Sequence, residues 1–362
     1  MVNRREFAAG TAGLVAAAGA GLATPAIAQA PTFRLRMATA VPENSFFHNA
    51  FMKPYADMVE TLTDGQVQIQ VFGAGTLVPP LRVHQAVQEG TIDLGHTSPA
   101  YLVNLDPVNA LFSGHPGGMS PETMLHWLYG MDGRKLWADF RRETMQLHPV
   151  IAGIGTTEIF AHSNRRIRTR EDLVGLKHRT SGGWATILRE RFQGVPIVVP
   201  AGDIFTLLER RAIDSIEWAT PGSNLPEGFH RITRYIIVPG VHANSFPWEV
   251  VMQSARWDAL PERVRARMEL AGRLVTFDSY ITFGIADLAA MEQFRASTTN
   301  EIIELDPALV ADIKRAGRDW AREQAVAQTA KGNPWMARVF ESYDGFQQHW
   351  ARNASYRADD RG

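Results

Sequence analysis

Two short stretches constrain the fold more than any other feature of this 362-residue chain. "QEGTIDLGHTSP" (88–99) and "ERRAIDSIEWAT" (209–220) each run from a helical pattern through Ile-Asp into an apolar strand, then into a polar tip. Shared helix-to-strand grammar is enough to produce a match this short. The alternative is two lobes built on one plan, with equivalent strand tips. In open α/β sheets, ligands lie beyond the carboxyl ends of strands. Two such lobes face to face would put residues 96–101 and 217–224 on opposite walls of one cleft.

The flanking pattern is α/β. Phe33 to Ala38 alternates apolar and polar residues, the period of a half-buried strand. Asn44 or Ser45 can cap the next helix, whose apolar positions include Phe47, Phe51, Tyr55, Met58 and Leu62. Gln66 to Val71 alternates again, and a helix is expected over 81–88. The second lobe repeats the scheme, with strands at 150–154, 176–179, 195–199 and 212–218 and helices at 184–192 and 203–211. One long helical pattern covers 261–294, placed to brace both lobes, and further helices cover 307–331 and 334–353. No strand is expected in this C-terminal third. The lobes divide as 29–150 plus about 240–260, and 151–239, followed by the brace at 261–295 and the C-terminal helices at 296–362.

Residues 1–28 read as an export signal: Arg4 and Arg5, an Ala- and Gly-rich apolar run, and Ala26-Ile27-Ala28 as a cleavage site. Arg4-Arg5-Glu6-Phe7 fits the twin-arginine pattern, with an ordinary secretory signal as the alternative. The processed chain would start near Gln29 and work in the periplasm. No other stretch looks long and apolar enough to span a bilayer, so a soluble protein is expected. Cysteine is absent, which excludes disulfides and thiol catalysis. The net charge is -1, without the basic block that nucleic-acid binding needs.

No nucleophile elbow, metallohydrolase helix or phosphate-binding loop is present. What remains is a set of recognition groups. Arg179, in "RTSGGWA", follows a strand and precedes a Gly-rich turn and a helix start. A guanidinium there can pair with a carboxylate through two hydrogen bonds, beside free helix N–H groups. It is equally a surface arginine beside a plain turn. Glu217 and Trp218 stand at the matching strand tip. Trp218 offers a flat apolar wall, and Glu217 a hydrogen-bond acceptor or cation ligand. Both also fit ordinary packing and a solvated charge. Ser98 and Tyr101 lie near the first lobe's tip, Glu158 follows a strand, and His242, Asn244 and Ser245 lie in a crossing segment.

"GTIDLGHTSPAYL", "EDLVGLKHRTSGG", "AGDIFTLLERRAIDSIEWATP" and "LPERVRARM" together resemble the solute-binding subunits of tripartite ATP-independent periplasmic (TRAP) transporters, the DctP family. The resemblance is nearest to the branch that binds 2-oxo acids and related monocarboxylates. It implies a two-lobed periplasmic binding protein fold with a helix bracing both lobes, no catalysis, and delivery of a small organic acid to membrane permease subunits. It assigns Arg179 to the ligand carboxylate, and Glu217 and Trp218 to the pocket. In some members a cation, sodium or calcium, bridges ligand and protein. Here Ala243 stands where a metal-ligating glutamate is usual, and Glu158 where a glutamine is usual. Glu217 and Glu158 are therefore the metal-ligand candidates. A homodimer through the C-terminal helices is a further expectation. A binding protein that presents its loaded form to a receptor shares this architecture. A remote alternative is an exported enzyme using Glu158 and Glu217 as an acid/base pair.

Overall fold

The computed structural model describes residues 32–356, so the expected export signal at 1–28 lies outside the described residues. The chain begins with β1 (Phe33–Thr39), α1 (Lys53–Leu62), β2 (Val67–Phe72), α2 (Val83–Gln88), β3 (Leu94–Thr97), α3 (Asn109–Ser113), α4 (Pro121–Gly130), α5 (Gly133–Met145) and β4 (Leu147–Gly155). Next come β5 (Ala161–Ser163), β6 (Lys177–Arg179), α6 (Gly182–Phe192), β7 (Val195–Ile197), α7 (Ile204–Glu209), β8 (Ser215–Ile216), α8 (Pro221–Glu227) and β9 (Tyr235–Val238). It ends with β10 (Phe246–Gln253), α9 (Ser254–Asp258), α10 (Glu262–Ala296), β11 (Glu301–Glu304), α11 (Pro307–Ala330) and α12 (Trp335–Asn353).

These strands form two sheets, ordered β2-β1-β3-β10-β4 and β11-β9-β5-β8-β6-β7. The two Ile-Asp stretches hold equivalent places. β3 lies parallel to β1, and β8 lies parallel to β6. Asp93, just before β3, accepts the Arg36 N–H at 2.7 Å, and Asp214, just before β8, accepts the Lys177 N–H at 2.9 Å. Each aspartate ties the start of its strand to the neighbouring strand's backbone. The two lobes therefore share one local plan.

Three expectations change. The apolar strand read with the second lobe is β4, and it lies at the edge of the first sheet, antiparallel to β10. Its uninterrupted apolar run carries no alternation that would show which sheet it joins. The C-terminal third does contain a strand, β11, which pairs parallel with β9. "EIIE" is too short to stand out between long helices. The 35-residue α10 is long and apolar enough over part of its length to cross a membrane, which the sequence reading did not expect of any stretch here, and it is the one such helix among the described residues.

Helix α10 packs on β4, α1 and α8. Small residues let it approach closely: a Cβ at Gly272 would lie 2.4 Å from Val150 Cγ1. The hydroxyls of Thr276 and Ser279 accept the N–H groups of Gly153 and Ile154, both at 3.1 Å. These bonds satisfy backbone donors that an edge strand would otherwise leave open. Further along, Asp287 accepts the Gly222 N–H at 2.8 Å and the Thr156 hydroxyl. One helix thus grips the last strand of the first lobe and the start of α8 in the second. Helix α12 packs on α4 and α5, and α11 packs on α6.

A buried ionic cluster holds β10 to the helices around it. Glu249 Oε1 lies 2.6 Å from Arg141 Nη2 and 2.8 Å from His84 Nε2, and the Trp137 indole donates to Oε2 at 2.8 Å. Burial alone would raise the Glu249 pKa. Arg141 and His84 outweigh it and hold the carboxyl down at about 2.

Candidate functional site

The strand tips of both sheets and the two crossing segments surround one cavity of about 50 Å³. Seven of the nine expected site residues line it: Ser98, Tyr101, Glu158, Arg179, Glu217, Trp218 and His242. Ser98 and Tyr101 come from beyond β3, and Glu217 and Trp218 from beyond β8, so the two tips do form facing walls.

Arg179 is the last residue of β6 and is 1% exposed. Its Nη1 donates to the Glu217 carbonyl at 2.9 Å and lies 3.5 Å from the Glu217 carboxylate, while Nη2 donates to the Val199 carbonyl at 3.1 Å. The guanidinium thus doubles as a tie between β6, the tip of β8 and the segment after β7. It also lies 5.4 Å from the centre of the Trp218 ring. Glu217 is held from its other side by the Ser181 N–H at 2.9 Å. Gly182 follows with φ +66°, a conformation that suits glycine. That turn starts α6 beside the cavity and brings Ser181 and Gly182 to its lining.

Several donors lining the cavity remain unspent. Arg179 Nε, Trp184 Nε1, Trp218 Nε1 and His242 Nδ1 are buried and have no partner among the described residues. Buried polar groups are usually satisfied. Three of the four, the N–H groups of Arg179, Trp184 and Trp218, can only donate, and they fit an acceptor-rich guest.

Glu158 and His242 face each other, with Oε2 3.0 Å from Nε2. Burial pushes the Glu158 carboxyl well above the usual range and pulls the His242 imidazole down to about 4. Burial also raises Glu217, helped by the Glu158 charge and opposed by Arg179. Glu158, Glu217 and His242 each offer a donor atom within 4.8 Å of the others. Two carboxylates and one imidazole suit a cation, which would relieve the crowding of negative charge. Ala243 lines the cavity and offers no side-chain ligand.

Asn244 and Ser245 are corrected. Asn244 Nδ2 donates to the Gly118 carbonyl at 2.7 Å and Ser245 Oγ to the Met119 carbonyl at 3.1 Å. Neither lines the cavity, because their polar atoms fasten the crossing segment to the loop before α4. Sequence reasoning missed Phe47, Ser113, Trp184, Phe246 and Trp248, which do line it. Phe47 and Trp218 lie with ring centres 5.2 Å apart, and so do Phe47 and Trp248. These apolar side chains carried no signal that distinguished them from core.

The model of the bacterial extracellular solute-binding protein family 7 (DctP) matches residues 37–326. A monocarboxylate 2-oxoacid-binding periplasmic protein from Nostoc sp. is 30% identical over 237 residues, 64% of this chain and 63% of its own. The match thus spans somewhat less than two thirds of that relative's length. The TRAP periplasmic solute-binding protein from Pseudoalteromonas atlantica, solved with bound sodium and pyruvate, superposes with a TM-score of 0.83 at 22% identity, covering 90% of this chain and 97% of its own. One from Bordetella bronchiseptica, with calcium and picolinate, gives 0.82 at 22% identity, covering 89% and 94%. These two share the two-lobed fold. With its sequence matched over residues 37–326, the chain belongs to the DctP family of bacterial extracellular solute-binding proteins.

Proposed function

We propose that the chain captures a small organic acid, of the 2-oxo or hydroxy monocarboxylate class, in the cavity between its lobes and delivers it to the membrane subunits of a TRAP permease. Arg179 carries this reading. It is a fixed, buried cation at a strand tip, with an unspent N–H beside Trp218, in a cavity too small for anything but a compact guest. Enclosure lowers the local dielectric and strengthens the guanidinium–carboxylate attraction. Binding to one of two lobe arrangements shifts the population toward it, and the permease reads the loaded form.

A bridging cation belongs to the same reading. Glu158, Glu217 and His242 would hold it, and it would supply a positive charge for the acid's oxygens. His242 then stands in for the carboxylate that Ala243 lacks. The neighbours' sodium and calcium, each bound together with a small acid, support a cation as part of this reading. The chain acts in the periplasm as a carrier and performs no reaction.

The test is isothermal titration of the purified chain with pyruvate and related acids, with and without a chelator. Saturable one-to-one binding that Arg179→Lys weakens by about 100-fold supports the proposal. No binding of any 2-oxo or hydroxy monocarboxylate overturns the assigned ligand class.

A further inference from the structure

Trp184 is the bulkiest side chain that the turn after Arg179 places at the cavity. It is 2% exposed, lies in the first turn of α6 and lines the cavity with Ser181 and Gly182. Gly183 allows that position. A Cβ there would lie 3.1 Å from the Ala110 Cβ, so the bare backbone lets α6 begin tight against α3. The indole is then held by its neighbours, with its ring centre 5.7 Å from Phe160, 5.5 Å from Phe192 and 6.3 Å from His242. Packed on three rings, it stands as a fixed wall.

The same side chain carries an unmet donor. Its Nε1 is buried and has no partner among the described residues. An indole N–H can only donate, and a buried donor is costly to leave unmade. Arg179 already donates to the Glu217 and Val199 carbonyls, and what is left of its fork suits one carboxylate. Trp218 belongs to that same cradle, with its ring centre 5.4 Å from the guanidinium. A 2-oxo or hydroxy acid brings a further oxygen beside its carboxylate, and this oxygen needs a donor of its own.

We propose that Trp184 sets the specificity of the cavity: its indole limits the guest to a short acid, and its N–H holds the oxygen on the carbon next to the carboxylate. This rests on the ligand class proposed above. With about 50 Å³ of free space, each extra methylene on the guest has to displace a wall.

Isothermal titration of the native chain, Trp184→Phe and Trp184→Ala with pyruvate and with 2-oxoisocaproate tests it, with a melting curve for each protein. The native chain is expected to prefer pyruvate by about 100-fold. Trp184→Ala should bind 2-oxoisocaproate about tenfold or more tighter than the native chain does, and should lose affinity for pyruvate. Trp184→Phe keeps an aromatic wall without the donor. It should weaken pyruvate by about tenfold while still rejecting the longer acid. Where Trp184→Ala melts below the titration temperature, Trp184→Leu takes its place. Native pyruvate affinity in Trp184→Phe, or an unchanged ratio of the two acids in the truncated variant, overturns the inference and leaves the ligand class standing. A native chain that prefers the longer acid overturns it too. A native chain that binds neither acid overturns the ligand class, and the role of Trp184 falls with it.

Discussion

Glu158 Oε2 lies 3.0 Å from His242 Nε2, and the two residues belong to opposite crossings between the sheets. Glu158 follows β4 and precedes β5, while His242 follows β9 and precedes β10. The backbones also meet, with the Glu158 N–H donating to the Ala243 carbonyl at 3.2 Å. A change at the cavity is therefore felt where the chain passes from one lobe to the other.

The cation reading predicts a shared dependence. Chelation should lower the affinity for the acid by roughly 10–100-fold in the native chain. Glu158→Gln and His242→Ala should start weaker and lose most of that response. Titrations of the three proteins with and without chelator check this. Equal affinity under both conditions in the native chain would show a pocket that works without a divalent cation.

Arg179 holds structure as well as ligand, so its truncation has two costs. Arg179→Ala should abolish binding and also lower stability by about 3–5 kcal/mol, because it leaves the buried Glu217 carboxylate unpaired. Arg179→Lys keeps a charge but loses the planar fork. It should retain most of the stability while binding weakly. Denaturant curves and titration on the same samples separate the two effects.

Gly240 should tolerate no side chain. A Cβ there would lie 1.8 Å from the Glu158 carbonyl oxygen. Gly240→Ala must push the two crossings apart and displace Glu158 from His242. The expected outcome is an affinity loss of about tenfold or more with a lower melting temperature. Unchanged ligand titration in this variant would separate the crossings from the cavity.

The Glu249 cluster predicts an acid limb in stability. The folded pKa is held at about 2, below the ordinary 4.5. Its contribution is therefore complete above pH 4.5 and is lost as pH falls toward 2, an effect of about 3 kcal/mol. His84, whose pKa burial lowers, adds to the same limb, since its neutral form is favoured in the fold. Urea melts at pH 7 and pH 3 should show the loss, and Glu249→Gln should be less stable at pH 7 with a flatter acid limb.

The parts legible in the sequence were those with local grammar. The Ile-Asp stretches revealed the strand tips because Asp93 and Asp214 each perform a local backbone task. "RTSGGWA" revealed its turn because Gly182 adopts positive φ. Ser45 Oγ accepts the His48 N–H at 3.3 Å in the turns that lead into α1, but α1 itself begins at Lys53 without a side-chain cap. The place of β4 was hidden, since only its long-range pairing with β10 decides it. The aromatic wall of Phe47, Trp184, Phe246 and Trp248 was hidden for the same reason. Asn244 and Ser245 misled because a polar residue in a crossing segment looks alike whether it faces a ligand or a neighbouring carbonyl.

The aspartate ties at Asp93 and Asp214 have a consequence for how such a carrier diversifies. Each fixes the start of a strand from behind, and the cavity walls begin only after that strand ends. Selection can exchange Ser98, Tyr101 or Trp218 one at a time while the sheets keep their register. A lineage can then move between nutrients by editing a few positions past two anchored strands, without passing through an unfolded ancestor.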